Sequence, residues 1–226
     1  MTSTRLCILS LVFLVALSGL AWPAPRARGP VILPGRLGTP PEQKSRDAWQ
    51  QPERVLEALA LKPGDTAADV GAGLGYFTWR LAGAVGPTGK VYAVDVDSRS
   101  IAYLKHQRAK RKIGWVEVGK GGYLSPRLPE GSVDAALICN TLHHIRSRAA
   151  YLVNLRRTLA PGGRLVLVEF KKVREKQGPS IEHRMAAETA IELADKAGWK
   201  AVARLDLPRQ WLLVLQPNGR EVSRPR

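Results

Sequence analysis

Two acidic residues and three glycines form the stretch of the sequence whose residue types and spacing best suit ligand chemistry. Asp69 stands near the end of a short apolar segment, Thr66 to Val70, and glycines follow at positions 71, 73 and 75. Glycines between a strand and a helix let the backbone turn sharply and let a ligand approach closely, because no Cβ intervenes. An acid beside such a loop suits a ligand that carries a positive group, such as the ammonium of an amino acid.

A second acid, Asp95, lies twenty positions after Gly75 and closes another apolar segment, Lys90 to Asp95. An acid at this place in a nucleotide-binding sheet accepts hydrogen bonds from ribose hydroxyls. The glycine spacing is G-x-G-x-G, and Tyr76 occupies the position where a dinucleotide fingerprint would have its third glycine. The pattern therefore favours a positively charged, ribose-containing ligand and disfavours a nicotinamide dehydrogenase.

The D-x-G-x-G-x-G stretch from Asp69 to Gly75, together with the segment GSVDAALICNTLHHI at positions 131–145, resembles the class I SAM-dependent methyltransferases. The resemblance covers residues 42–216 and implies S-adenosylmethionine (SAM) as the cofactor. It also implies that Asn140, which follows the fourth predicted strand, contacts the methionine part of SAM. One position departs from the family's pattern, because Lys120 stands where many members carry an aspartate that contacts adenine.

The predicted cofactor site has nine members, which are Asp69, Gly71, Ala72, Gly73, Gly75, Tyr76, Asp95, Val96 and Asn140. No catalytic residue is assigned, but His143 and His144 are candidates, since a histidine near the crevice is able to accept a proton from the nucleophile. The alternative is that one histidine belongs to the core and the other is a satisfied polar residue at a helix start. The sequence shows no metal-ligand pattern and no G-x-S-x-G motif.

The alternation of apolar and helix-periodic segments predicts an α/β fold. The predicted architecture is a Rossmann-like, seven-stranded, mostly parallel sheet with an antiparallel last strand and helices on both faces. The predicted strands are Thr66–Val70, Lys90–Asp95, Ile113–Val118, Asp134–Cys139, Arg164–Glu169, Trp199–Leu205 and Trp211–Leu215. The predicted helices are Ser45–Leu61, Tyr76–Ala84, Arg99–Lys110, Ser147–Leu159 and Ile181–Ala197, and Asp97 and Ser98 are predicted to cap the third of them.

The N-terminal segment is predicted to lie outside the fold. A basic start precedes the apolar run Leu6–Leu20, and residues 22–41 form a linker rich in Pro, Gly and Arg. Residues 1–21 are interpreted first as a cleaved signal peptide, which would make the protein secreted or periplasmic. The alternatives are an uncleaved signal anchor, which would attach the protein to a membrane, and an organellar transit peptide. The methyltransferase domain is predicted over residues 42–216, before a polar tail at 217–226.

The chain is strongly basic, with 35 Lys and Arg against 19 Asp and Glu and a net charge of +16. This balance favours contact with an anionic membrane surface or with nucleic acid. The densest basic cluster, Lys105 to Lys112, is either a solvated helix end or a phosphate-binding patch. Two functions follow. One is a methyltransferase acting on a small-molecule acceptor, and the other is a non-catalytic module of the same fold that binds a polyanion. The sequence does not indicate an oligomeric state.

Overall fold

The structure, a computed structural model, describes residues 41–220, with side chains from residue 45 onward. The predicted signal segment at 1–21 and residues 22–40 of the predicted linker lie outside the described residues, as does the end of the predicted tail at 221–226. Within the described residues, every helix is too short or too polar to cross a membrane.

A seven-stranded sheet forms the centre of the described fold. Its strands are β1 (Thr66–Val70), β2 (Lys90–Asp95), β3 (Val116–Lys120), β4 (Val133–Cys139), β5 (Leu159–Phe170), β6 (Trp199–Asp206) and β7 (Gln210–Pro217). Their order is β3-β2-β1-β4-β5-β7-β6, and β7 runs antiparallel to both of its neighbours. The predicted fold class is confirmed. The strand order reverses between β1 and β4, which is where open α/β sheets bind ligands.

Helices pack on both faces of the sheet. Within residues 41–220 they are α1 (Pro41–Gln50), α2 (Pro52–Leu59), α3 (Thr78–Val85), α4 (Ser98–Arg111), α5 (Arg148–Thr158) and α6 (Ala187–Lys196), with 3₁₀ turns at Leu142–His144 and Ile181–His183. One apolar cluster joins α2, α3 and α4 to one face, and another joins α5 and α6 to the opposite face. The Asp97 side chain accepts from two amides at the start of α4, which confirms Asp97 as the cap, whereas Ser98 is the first residue of the helix.

Two predicted helices are each broken by a residue with a specific physical reason. The predicted helix Ser45–Leu61 is interrupted at Gln51, whose φ is 47°, because Pro52 disfavours the helical conformation in the residue before it. The predicted helix Ile181–Ala197 is interrupted at Arg184, whose backbone is extended. The buried Arg184 guanidinium donates instead to five backbone carbonyls of the loop after β5.

Other predicted boundaries are displaced. The largest shift is that of the fifth strand, which is predicted at Arg164–Glu169 and lies at Leu159–Phe170. The strand predicted at Ile113–Val118 lies at Val116–Lys120, because α4 continues to Arg111 and Lys112 then ends it in the left-handed conformation, with φ 55°. The first predicted helix, Tyr76–Ala84, begins only at Thr78. The glycine loop therefore includes Tyr76 and Phe77 and is longer than the sequence pattern indicates.

Packing beneath the glycine loop sets its shape. Gly75 has a φ of 81°, and a Cβ added there would lie 2.7 Å from both Leu104 Cδ2 and Trp79 Nε1. Trp79 belongs to α3 and Leu104 to α4, so the loop backbone lies directly against two helices. The conformation and the close approach both require glycine.

We expect Gly75→Ala to lower the free energy of unfolding by about 2–5 kcal/mol, since it adds overpacking to an unfavourable φ. Gly131→Ala is the matched control, because Gly131 also has a positive φ of 65° but open space around its missing Cβ. Its loss should be about 1–2 kcal/mol, from backbone strain alone. Urea unfolding of both variants measures the difference, and equal losses would contradict the role of packing.

Candidate active site

A cavity of about 790 Å³ opens at the carboxyl ends of the central strands. Its lining residues come from the ends of β1 and β2, from the segments that follow β3 and β4, and from α5. They are Gly71, Val94, Asp95, Val96, Gly121, Gly122, Tyr123, Leu124, Asn140, Thr141, His144, Ile145, Arg146, Ser147 and Tyr151. This volume lies in the range of small-molecule and cofactor sites.

The structure brings four of the nine predicted cofactor residues onto the cavity wall, which are Gly71, Asp95, Val96 and Asn140. The other five lie next to the wall or beneath it. Among them Asp69, Ala72, Gly75 and Tyr76 are buried, and Gly73 is half-buried. Of the two candidate histidines, His144 lines the cavity and His143 is buried behind it. The chemical role of each residue remains a prediction.

The Asp95 carboxylate connects the ends of the first two strands. Its Oδ2 accepts from the Gly73 amide at 2.8 Å, and its Oδ1 accepts from the Asp97 amide at 2.9 Å. Each carboxylate oxygen has a second lone pair available. The geometry therefore lets Asp95 shape the glycine loop and still accept hydrogen bonds from two ligand hydroxyls.

Asp69 is a buried acid directly before the glycine loop, with only 3 % of its surface exposed. Its Oδ2 accepts from the Thr78 hydroxyl at 2.6 Å. Burial raises the pKa of Asp69 to about 6, while the Thr78 hydrogen bond and the charge of Arg46 lower it in part. At neutral pH the carboxylate is mainly ionised and places a negative charge beneath the loop.

A closed ring of three side-chain amides stands beside the cavity. Gln50 Nε2 donates to Gln210 Oε1, Gln210 Nε2 donates to Asn140 Oδ1, and Asn140 Nδ2 donates to Gln50 Oε1 at 3.5 Å. Gln50 and Gln210 are fully buried, and they end α1 and begin β7. The ring holds Asn140, which has a φ of 54°, at the cavity wall.

The two adjacent histidines have different environments. His143 Nδ1 lies 2.7 Å from Glu169 Oε2, and the His143 amide donates to Glu169 Oε1 at 3.2 Å. The His144 ring packs 4.0 Å from the His143 ring and faces the cavity. Partial burial, and then the neighbouring His143, lower the pKa of His144. A neutral imidazole therefore stands on the wall at neutral pH.

The sequence analysis missed several wall residues. Tyr123 and Leu124 are exposed at the rim, with 81 % and 52 % of their surfaces accessible, and Tyr151 contributes from α5. A Gly-Gly-Tyr-Leu run after a strand is the signal that would have indicated an apolar rim. Lys120, which stands where many family members carry an aspartate, is exposed and does not line the cavity. The next two residues, Gly121 and Gly122, line the cavity wall.

Comparison with known proteins identifies relatives for most of this region. Residues 68–167 match the family model described as a methyltransferase domain. The chain is 30 % identical over 153 residues to a 2-phytyl-1,4-naphtoquinone methyltransferase of Trichormus variabilis, covering 66 % of this chain and 65 % of that protein. It is 32 % identical over 152 residues to a tRNA U34 carboxymethyltransferase of Chromohalobacter salexigens, covering 63 % and 42 %.

Among solved structures, the fold is similar to that of a SAM-dependent methyltransferase from Aquifex aeolicus. The TM-score is 0.72 at 28 % identity, over 76 % of this chain and 92 % of the other. The chain spans less than two thirds of the length of the two curated relatives above.

Asp69 should make stability depend on pH in a specific direction. Its folded-state pKa lies above the unfolded value, so its contribution is fully present below about pH 4 and is lost as pH rises through about 6. Relative to Asp69→Asn, we expect the wild type to lose about 2 kcal/mol between pH 4 and 7. Chemical unfolding across this range measures it.

Asp97→Asn is the control, with the opposite sign. The Arg99 amide holds the pKa of Asp97 below its ordinary value, so the wild type should lose stability relative to this variant as pH falls. If the difference in free energy of unfolding between the wild type and Asp69→Asn stayed constant with pH, the raised pKa of Asp69 would be contradicted.

Proposed function

Because the chain has the fold of the class I SAM-dependent methyltransferases, we propose that it binds SAM and transfers the methyl group to a small-molecule acceptor. The observation that carries this proposal is one continuous cavity. It runs from Gly71 and Asp95, where the cofactor would lie, to His144 in the turn after β4 and Tyr151 of α5. A volume of about 790 Å³ has room for a nucleoside donor and a small acceptor together.

The residues present suit the groups that SAM carries. Asp95 has lone pairs for the two ribose hydroxyls, and the ionised Asp69 lies beneath the loop that would hold the methionine part. The glycine run after β3 offers backbone groups to adenine in place of the missing side-chain acid. Different chemical groups at one edge of the sheet would thus bind the sugar, the base and the amino-acid part of SAM.

SAM, when bound, supplies a methyl carbon already activated by its sulfonium. The protein's part is therefore mainly to hold the acceptor in line with that carbon, which accounts for much of the acceleration in such reactions. As the acceptor bonds to the methyl carbon, the carbon–sulfur bond breaks and the acceptor loses a proton. His144 is the wall residue whose neutral imidazole is able to accept that proton.

The rim supports an acceptor with an apolar part. Val96, Tyr123 and Leu124 are exposed apolar side chains around the cavity opening. The relatives named above include a quinone and a tRNA methyltransferase, so the fold alone does not choose the acceptor. We favour a small molecule with an aromatic or aliphatic body, which would bury this rim on binding.

Asp95→Ala should weaken binding of S-adenosylhomocysteine, the demethylated product, by about 1.5–3 kcal/mol, the typical loss of a hydrogen bond to a charged group. Calorimetric titration of the full chain measures it. Asp97→Ala is the control, because this exposed acid lies two residues away and caps α4 without lining the cavity. A wild type that releases no heat with SAM or its product would contradict the proposal itself.

A second candidate function is polyanion binding by the basic end of α4, which we define as Lys105, Arg108 and Lys110 of the helix and Lys112, its C-cap. All four side chains are exposed, and within the described residues none has a carboxylate oxygen within 4 Å. This candidate would place a protein of methyltransferase fold on an anionic membrane surface or on RNA. Secretion or membrane attachment through residues 1–21 likewise remains a proposal.

If the basic end of α4 binds polyanions, the protein should bind vesicles that contain phosphatidylglycerol, and this binding should weaken as the salt concentration rises. Reversing Lys105, Arg108 and Lys110 to Glu should weaken this binding and flatten its dependence on salt. Reversing the exposed Lys172, Lys196 and Lys200 gives the same change in net charge elsewhere and should have less effect. Vesicle co-sedimentation at several salt concentrations distinguishes the two triple variants, and equal effects of both would contradict a binding site localised at the basic end of α4.

A further inference from the structure

Arg46 extends from α1 toward the carboxyl ends of β1 and β4. Its Nε and Nη2 donate to Gln50 Oε1 at 3.3 and 3.1 Å, and its guanidinium carbon lies 3.7 Å from the centre of the Tyr76 ring. Tyr76 belongs to the glycine loop, so these contacts hold a half-buried cation beside that loop. The guanidinium also makes a hydrogen bond to the Cys139 side chain. Of its five N–H groups, those not used by Gln50 and Cys139 are available to a ligand.

The electrostatic influence of Arg46 supports this placement. Burial raises the pKa of the Asp69 carboxyl and of the Cys139 thiol, and the positive charge of Arg46 opposes that rise at both groups. Asp69 lies near the end of β1, and Cys139 is the last residue of β4. The guanidinium therefore acts on the two strand ends between which the strand order reverses.

Arg80 provides an internal comparison, because its guanidinium also lies over the Tyr76 ring, at 4.2 Å. Arg80 Nη2 forms an ion pair with Asp47 Oδ1 at 2.8 Å. Arg46, by contrast, has no carboxylate oxygen within 4 Å among the residues whose side chains are described. A charge that is partly removed from water gains from a paired anion, and of these two cations Arg46 is the one that a ligand anion would neutralise.

The contacts of Arg46 lead directly to the cavity wall. Gln50 Oε1, which accepts from Arg46, also accepts from Asn140 Nδ2, and both Asn140 and Gly71 line the cavity. An anion between the glycine loop and Asn140 would thus meet Arg46, while Asp69 lies close by with the opposite charge. A cation and an anion so close together match the two charges of an amino-acid head group.

We propose that Arg46 binds the α-carboxylate of the methionine part of SAM, an assignment that rests on the proposed function. The planar guanidinium fork matches a carboxylate in two parallel hydrogen bonds. The pairing makes Arg46 a determinant of specificity, since it favours adenosyl compounds that retain the amino-acid head group over those that lack its carboxylate.

The test compares two ligands that differ only in this group, S-adenosylhomocysteine and decarboxylated S-adenosylhomocysteine. We expect the full-length wild type to bind the first about 10-fold to 100-fold more tightly, as measured by calorimetry. Arg46→Met should abolish this preference by weakening only the first ligand, and Arg46→Lys should retain part of it. Arg80→Met is the matched control, and it should keep the wild-type preference because Arg80 is already paired with Asp47.

Three outcomes separate the two proposals. A wild type that binds both ligands equally would overturn the role of Arg46 while leaving SAM binding intact, and this result does not depend on any variant folding. An Arg46→Met variant with the wild-type preference and a wild-type circular dichroism spectrum would overturn it as well. A wild type that binds neither ligand would instead overturn the proposed function.

Discussion

The carboxylate of Asp95 is the group on which the geometry of the site most depends. It lies at the end of β2 yet reaches across to the backbone of the loop that follows β1, and it also fixes the turn into α4. Hydrogen bonds to an ionised acceptor are about twice as strong as those between neutral groups. One side chain therefore sets the relative positions of the two loops between which a nucleoside would bind.

Two further carboxylates, those of Asp69 and Glu169, are buried in satisfied pairs. Asp69 accepts from the Thr78 hydroxyl, and Glu169 accepts from both the backbone and the ring of His143. Such pairs are costly to break, because each would leave a polar group buried without a partner. The arrangement makes the floor of the cavity rigid, while His144 is the histidine of the adjacent pair that faces the cavity. Buried, paired groups below the cavity and an accessible His144 on its wall suit a site whose main task is to orient bound molecules.

Sequence patterns predicted the elements whose information is local. The apolar segments of β1 and β2, the glycines between β1 and α3, and the acid that ends β2 all lie close together in the chain, so their spacing indicates their geometry. Asn140 was also predicted at the sheet edge, because it directly follows a buried strand. These features need no knowledge of distant contacts.

Features made by distant contacts were not predictable in the same way. Gln50, Asn140 and Gln210 meet only after β4 and β7 have joined the sheet, and nothing in their spacing indicates that they form a ring. Arg184 likewise resembles an ordinary helix residue until the loop carbonyls around it are seen. The break at Gln51 had a local signal in Pro52, but a proline near a helix start is also compatible with an unbroken helix.

The amide ring has a further consequence, which concerns its direction. Three amides in a closed circuit have two possible senses of donation, and amide groups alone would not choose between them. Arg46 chooses, because a guanidinium only donates, and it meets the oxygen of Gln50. Reversing the circuit would set donor against donor at that point. The amide of Asn140 therefore cannot turn over to exchange its donor and acceptor when a ligand binds. The positions of donor and acceptor on this part of the wall are set by Arg46 of α1 through Gln50 and Gln210.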